Sequence, residues 1–283
     1  MWNDEQVEGH RQLVDAVHQK GCPVFVQIHH AGLVGIVEDA WCPSPYTYVR
    51  NDGLPKTGVE LTKDALDTLQ DDFVQAAVRA YQAGYDGIEL HGCHNYLLCQ
   101  FMNAKVNRRT DDYGIDRTLW IREILQKIRH LTPKEFIVGI RLGGFEPTLE
   151  DAIGHAKRLE EAGMDFLDIS YGFRREQIAT KPEGYAYLDI IYAAERIKKA
   201  VQIPVFAANG ITSPEQAENI LLHTGVDVID IGRGFMVNFD WVKDAKAGID
   251  TGHCLRCATC LLYSEPERCP GRILTARRKR GIN

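Results

Sequence analysis

The chain has 283 residues, 45% of them apolar and 25% charged, with 33 basic against 39 acidic side chains and a net charge of −6. That length suits about two average domains or one α/β barrel of roughly 250 residues, and the composition is that of a globule with a sizeable core. The acidic balance offers no basic field to nucleic acid, no 18-residue apolar run offers a membrane span, and Met1-Trp2-Asn3-Asp4-Glu5 lacks the form of a secretory signal.

Residues 4–20 read as a helix with Val7, Val14 and Val17 on one face. A first buried strand covers residues 23–28, and residues 31–60 then show neither strand nor helix pattern. Thr62 caps a helix with an apolar stripe at Leu66, Leu69, Phe73, Ala76, Ala77 and Ala80, ended by Gly84. Strands follow at 87–90 and 136–141. Ala152, Ala156, Leu159 and Ala162 mark another helix, stopped at Gly163. After a strand at 165–169 comes a second irregular stretch, 171–186, then a strand at 204–207. Ser213-Pro214-Glu215-Gln216 reads as a capping box with proline at the first helical position. The last strand is 226–231.

The near-continuous apolar character of these strands predicts parallel pairing with both faces covered. A βα repeat with right-handed crossovers gives a barrel or a doubly wound sheet. No strand is followed by GxGxxG, which favours the barrel. Six βα units are visible where a closed barrel has eight, so the chain is expected to begin inside a barrel, with two units absent. Both irregular stretches follow a strand, which would set them on the C-terminal face where barrel enzymes do their chemistry.

The densest group of reactive side chains is Glu89-Leu90-His91-Gly92-Cys93-His94-Asn95-Tyr96, directly after a strand. Two imidazole N–H groups aimed at one carbonyl oxygen would stabilise a developing enolate, and a tyrosine beside them can deliver a proton. Imidazoles also bind metals, but no carboxylate completes an obvious site. The plainer alternative is two histidines satisfying loop backbone; three such rings at a strand end favour function. Asn209-Gly210-Ile211 and Gly232-Arg233-Gly234 follow the last two strands, the usual place for a phosphate cradle in a barrel. Glycine lets backbone N–H groups approach the anion and Arg233 adds charge.

Cys254, Cys257, Cys260 and Cys269 crowd into one tail as CxxCxxC followed by Cys-Pro. Such spacing indicates metal in a reducing compartment, the cytoplasm, rather than disulfides. An iron–sulfur cluster and a four-thiolate zinc site both suit it. Cys93 and Cys99 read as packing residues, and Arg277-Arg278-Lys279-Arg280 as a solvated end.

Residues 87–101 resemble the signature of the Old Yellow Enzyme family of FMN-dependent ene-reductases. Asn107-Arg108-Arg109-Thr110-Asp111-Asp112-Tyr113-Gly114 and Gln27-Ile28-His29-His30-Ala31-Gly32 are similar to two further family motifs, in the family's order. The resemblance implies a TIM (β/α)8 barrel of which strands three to eight are evident. Residues 1–247 would be an N-terminally incomplete FMN-binding barrel, and 248–283 a Cys-rich tail. By the same resemblance Gln27 matches the residue on the flavin pyrimidine and Arg141 the arginine near flavin N1. Asn209, Gly210, Gly232 and Arg233 would complete the cofactor site. His91 and His94 match the pair on the substrate oxygen, and Tyr96 the proton donor. The implied activity is reduction of the C=C bond of α,β-unsaturated carbonyl compounds with NAD(P)H.

Larger relatives of the dienoyl-CoA reductase type carry a four-iron cluster just after the barrel. Their third and fourth cysteines are spaced further apart than these, so [4Fe-4S] and zinc both stay open. The alternative function is a truncated non-catalytic remnant or a subunit of a larger flavin/iron–sulfur assembly. Unpaired edges left by the absent strands would favour a homo-oligomer or another chain completing the barrel.

Overall fold

Apolar strands alternating with amphipathic helices build one parallel sheet whose strand order follows the chain. The computed structural model describes residues 1–49, 53–173 and 181–281. Its strands are β1 (Phe25–Ile28), the short β2 (Trp41–Cys42), β3 (Thr47–Val49), β4 (Pro55–Thr57) and β5 (Val59–Glu60), then β6 (Gly87–Gly92), β7 (Ile137–Gly143), β8 (Phe166–Ser170), β9 (Val205–Ala207) and β10 (Val228–Ile229). β1, β6, β7, β8, β9 and β10 pair side by side, all parallel. Helices lie between them, as the expected βα repeat requires. These are six consecutive strands of a TIM-barrel wall, and among the described residues the wall is an open arc. Its two ends are less covered than the sequence implies: Phe25 and Val228 are each 37% exposed, because each edge strand has a neighbour on one side only.

Alternation along the strands stacks the barrel interior in layers. At the lower end Phe25 meets Phe166 edge-on at 5.8 Å, and Phe166 stacks on Phe206 at 4.7 Å. Gly87 and Gly139 make room for these rings: a Cβ on Gly139 would stand 2.2 Å from Phe166, and one on Gly87 2.6 Å from Phe25. Two residues further along each strand the interior turns polar, with Gln27 opposite Glu89, and Arg141 between His91 and Asp168 in register. The site therefore begins where the aromatic layer ends.

The outer layer follows the sequence pattern closely. Thr62 Oγ1 accepts from the Ala65 N–H at 3.2 Å and starts the helix Lys63–Gln82. All six residues of its predicted stripe are buried, and Gly84 ends the turn at φ +91°. Trp120, from the helix Leu119–Leu131, stacks on Phe101 at 4.5 Å and meets Phe73 edge-on at 6.0 Å. Rings this size contribute roughly 1.5–3 kcal/mol each on burial. Thr148 and Asp151 form a complete capping box at Leu149–Glu161, a start signal that the apolar spacing alone had not disclosed.

Three expectations need correction. Ser213 accepts from the Gln216 N–H at 3.2 Å, but the Gln216 side chain accepts from Thr212 N–H at 3.0 Å, so the box at Pro214–Thr224 is half made. Residues 31–60 do hold strands: β2 pairs with β5 and β3 with β4, away from the main sheet. These ribbons are two or three residues long, too short to show alternation. The strand expected at 226–231 narrows to two residues. The basic end is solvated, all four residues being exposed, but it is helical and tied down: Lys279 on the helix Pro270–Lys279 reaches Asp244 at 2.5 Å, and Arg278 reaches Asp250 at 3.0 Å. Of the irregular stretch 171–186, residues 174–180 lie outside the described residues. No helix among the described residues is long and apolar enough to cross a membrane.

Candidate active site

β6 delivers Glu89 and His91 to the same interior face, and the chain then turns sharply. His94 (φ +54°) and Asn95 (φ +68°) take left-handed backbone that non-glycine residues seldom adopt. The turn is fastened by His94 N–H to Tyr171 O at 2.9 Å, Tyr96 N–H to Cys93 O at 3.2 Å and Leu97 N–H to His30 O at 3.0 Å. Tyr96 then leads into the short helix Leu97–Met102. The folded-back turn gathers four rings: His91 lies 5.1 Å from His94 and 4.9 Å from Tyr96, while His29 lies 5.0 Å from Tyr96 and 6.0 Å from His91. Among the described residues the Tyr96 hydroxyl has no hydrogen-bond partner, which leaves its proton available. His29 follows β1 directly, and the pairing of β1 with β6, not sequence spacing, brings it beside these rings.

Gln27 bridges the strands. Its amide N–H donates to Glu89 and its carbonyl accepts from His91 Nδ1 at 2.5 Å. That chain assigns the Nδ1–H tautomer to His91. Its Nε2 faces the Cys93 thiol at 3.5 Å, and His94 Nε2 pairs with Ser170 Oγ at 2.8 Å. The two imidazoles are thus together, with these nitrogens engaged by protein groups rather than presented bare. Burial, helped by the nearby His94, Arg141 and His29, lowers the His91 pKa to about 3, so it acts as a neutral donor. Burial also raises the Cys93 thiol well above its ordinary value, leaving it protonated. His91, Cys93 and His94 are the trio of metal-capable side chains that the described residues bring within 4.8 Å of one another.

Behind them lies an acidic ring that the sequence did not reveal. Arg141 Nε stands 2.9 Å from Asp168 Oδ2. Burial raises Glu89, Asp168 and Asp230 alike, with the Asp168 shift reinforced by Asp230 and Glu89. Burial alone would lower Arg141, but Asp168, Glu89 and Asp230 outweigh it and hold the guanidinium charged. One cation among three buried carboxyls cannot offset them all, which favours the protonated form of the ring. Arg141 Nε and Asp168 Oδ1 are nevertheless buried without a well-directed hydrogen bond, an arrangement suited to a polar ligand at this position.

Both face a cleft of about 490 Å³ that Asn209, Gly210, Gly232 and Arg233 also line. Asn209 (φ +79°) and Gly210 (φ +76°) take left-handed backbone at its edge, and nothing lies within 4 Å of where a Gly232 Cβ would be. The residues fit a phosphorylated flavin. Gly210, Gly232 and Arg233 suit its phosphate, while Arg141 and Asp168 offer a donor and an acceptor to a ring edge carrying both. Arg141, Asn209, Gly210, Gly232 and Arg233 are therefore brought to one cleft. Gln27, His91, His94 and Tyr96 form the adjoining ring cluster, joined to it through Glu89.

The tail cysteines are placed differently. Cys254 and Cys269 are half-buried, Cys257 and Cys260 are exposed, and no three of their sulfurs gather within 4.8 Å. As placed they do not form the ligand set of a cluster or a zinc ion. The segment 107–114 holds up the site's flank. Arg109 joins Asp111 at 2.6 Å to the carbonyls of Pro43 (3.1 Å) and Leu61 (2.8 Å), and Asn107 donates to Phe101 O and Tyr113 O at 2.8 Å.

The NADH:flavin oxidoreductase / NADH oxidase family model matches residues 1–252. The chain is 36% identical over 272 residues to an NADH oxidase of Thermoanaerobacter brockii, covering 91% of this chain and 41% of that protein. It is 34% identical over 258 residues to an NADPH dehydrogenase of Listeria welshimeri, covering 88% and 74% respectively. Morphinone reductase in complex with tetrahydroNAD superposes with a TM-score of 0.73 at 24% identity, covering 93% of this chain and 77% of that one. A second morphinone reductase structure gives 0.70 at 26% identity, covering 88% and 71%. The chain thus spans less than half of the NADH oxidase and about three-quarters of the NADPH dehydrogenase. Matched along nearly its whole length, and carrying the motifs of Old Yellow Enzyme in order, the chain belongs to the NADH:flavin oxidoreductase / NADH oxidase family.

Proposed function

We propose that this chain is the catalytic barrel of an FMN-dependent oxidoreductase that uses NAD(P)H to reduce the C=C bond of α,β-unsaturated carbonyl compounds. The carrying observation is the pairing of a glycine-turned, arginine-lined cleft with the ring cluster of His91, His94 and Tyr96 beside it. Bound in that cleft, FMN would supply hydride transfer between nicotinamide and substrate.

The protein's own part is orientation and proton management. His91 Nδ1–H, now held by the Gln27 carbonyl, and His94 would take the substrate carbonyl oxygen and support the negative charge that develops there. The low His91 pKa makes this a neutral hydrogen bond, so no proton is lost to the oxygen. Tyr96, whose hydroxyl is unengaged among the described residues, would protonate the α-carbon. The unpaired edges of β1 and β10 favour a further polypeptide segment, from this chain or another, completing the wall.

The test is an equilibrium titration of purified protein with FMN, followed by flavin fluorescence and by NADH-dependent reduction of a simple enone. Saturable quenching and enone turnover are expected. A folded preparation with no affinity for FMN would overturn the reading, and binding without turnover would favour the non-catalytic subunit.

A further inference from the structure

The described residues contain four non-glycine residues with positive φ: His94, Asn95, Asn209 and Arg256. Three of them shape the site already described. Left-handed backbone at a non-glycine residue costs free energy and persists where surrounding structure imposes it, often at functional sites. Arg256 (φ +51°) belongs to the cysteine tail, between Cys254 and Cys257. The tail folds back so that His253, Cys254 and Arg256 line the same cleft as Asn209, Gly210, Gly232 and Arg233. Arg256 Nη2 comes within 3.8 Å of where a Cβ on Gly210 would stand.

Charge accounting then points to a ligand. Arg141 is already offset by Glu89, Asp168 and Asp230. Arg233 and Arg256, by contrast, make no ion pair with an acidic side chain among the described residues. Two unoffset guanidinium groups on one cleft, beside two glycine turns, suit a phosphate monoester, which can accept from both at once.

We infer that Arg256 is a second phosphate-binding residue, so that the cysteine tail forms one wall of the mononucleotide site rather than an appendage to it. The ligand class is a phosphomonoester, and on the function proposed above, on which this inference rests, it is the FMN phosphate. The tail's contribution should therefore distinguish FMN from riboflavin, which has the same ring and no phosphate.

The experiment compares wild type, Arg256→Gln and Arg256→Lys for FMN and riboflavin affinity by fluorescence quenching, and for inorganic phosphate by calorimetry. Loss of one charge-assisted contact should weaken FMN about tenfold in Arg256→Gln, leave riboflavin within about twofold, and be partly restored by lysine. Unchanged FMN affinity, or equal loss for both flavins, overturns the inference. If wild type binds neither flavin, the flavin function fails separately. Inorganic phosphate then decides Arg256: weaker binding in Arg256→Gln sustains it, and equal or no binding ends it.

Discussion

Glu146 makes the most exacting prediction, because it is fully buried and, among the described residues, makes no ion pair. Burial raises its carboxyl from an ordinary 4.5 to about 7, against three donors that favour the ionised form: Cys99 Sγ at 2.8 Å, Phe173 N–H at 3.2 Å and the Asn103 amide. A carboxyl whose folded pKa is raised keeps its proton in the folded state after the unfolded chain has lost it. Stability is then fully present below pH 4.5 and declines as pH climbs to 7, the slope being negative because the folded state binds more protons. At about 1.4 kcal/mol per pH unit the whole decline amounts to about 3 kcal/mol. Glu146→Gln abolishes the titration. It also turns an amide N–H toward groups that themselves donate, a fixed cost of about 1–3 kcal/mol. The constant offset cancels in a comparison across pH. Urea unfolding of both proteins at pH 5, 6, 7 and 8 should show wild type losing about 2.5 kcal/mol relative to the variant, mostly before pH 7, the rest of the decline lying below pH 5. Parallel stability curves from pH 5 to 8 would refute the argument that burial outweighs the three donors.

Other consequences are simpler to test. Tyr96→Phe keeps the ring contacts with His91 and His29, so stability should change by less than about 1 kcal/mol. Alkene reduction should slow about 10²–10⁴-fold while flavin reduction by NAD(P)H is retained; stopped-flow measurement showing equal loss in both half-reactions would defeat the proton-donor role. His91, with its pKa lowered to about 3 by burial, should show imidazole NMR shifts that stay flat between pH 5 and 8. Its stability contribution is present above the unfolded histidine range and lost as pH falls below about 6.5. Gly114→Ala would set a Cβ 1.8 Å from the Arg109 carbonyl oxygen; backbone cannot yield as a side-chain tip does, so a loss of about 3 kcal/mol is expected by denaturant titration.

What the amino-acid order determined by itself was whatever is written in local periodicity. The six wall strands, the Thr62 cap, the stripe from Leu66 to Ala80 and the glycine turns after β9 and β10 all depend on neighbours within a few residues. Arg141, His91, His94 and Tyr96 were legible for a second reason: each stands toward or just past the C-terminal end of an apolar strand, where a parallel barrel wall exposes side chains to its mouth, whereas Gln27 was marked by its family resemblance alone.

Tertiary structure decided the rest. Asp168 sits inside the apolar run Phe166-Leu167-Asp168-Ile169 and reads as an interruption until pairing sets it opposite Arg141. Glu146 looks like an ordinary surface acid after a strand until Cys99, Asn103 and Phe173, distant in sequence, enclose it. The ion pairs made by Arg278 and Lys279 carried no local signal because Asp250 and Asp244, their partners, lie some thirty residues away. Arg256 reads as a spacer between cysteines, and only the folding back of the tail brings it beside Gly210. Pattern fixes which residues form strands and helices, whereas charge pairing, burial and shared clefts arise from contacts between segments whose separation along the chain carries no local signal.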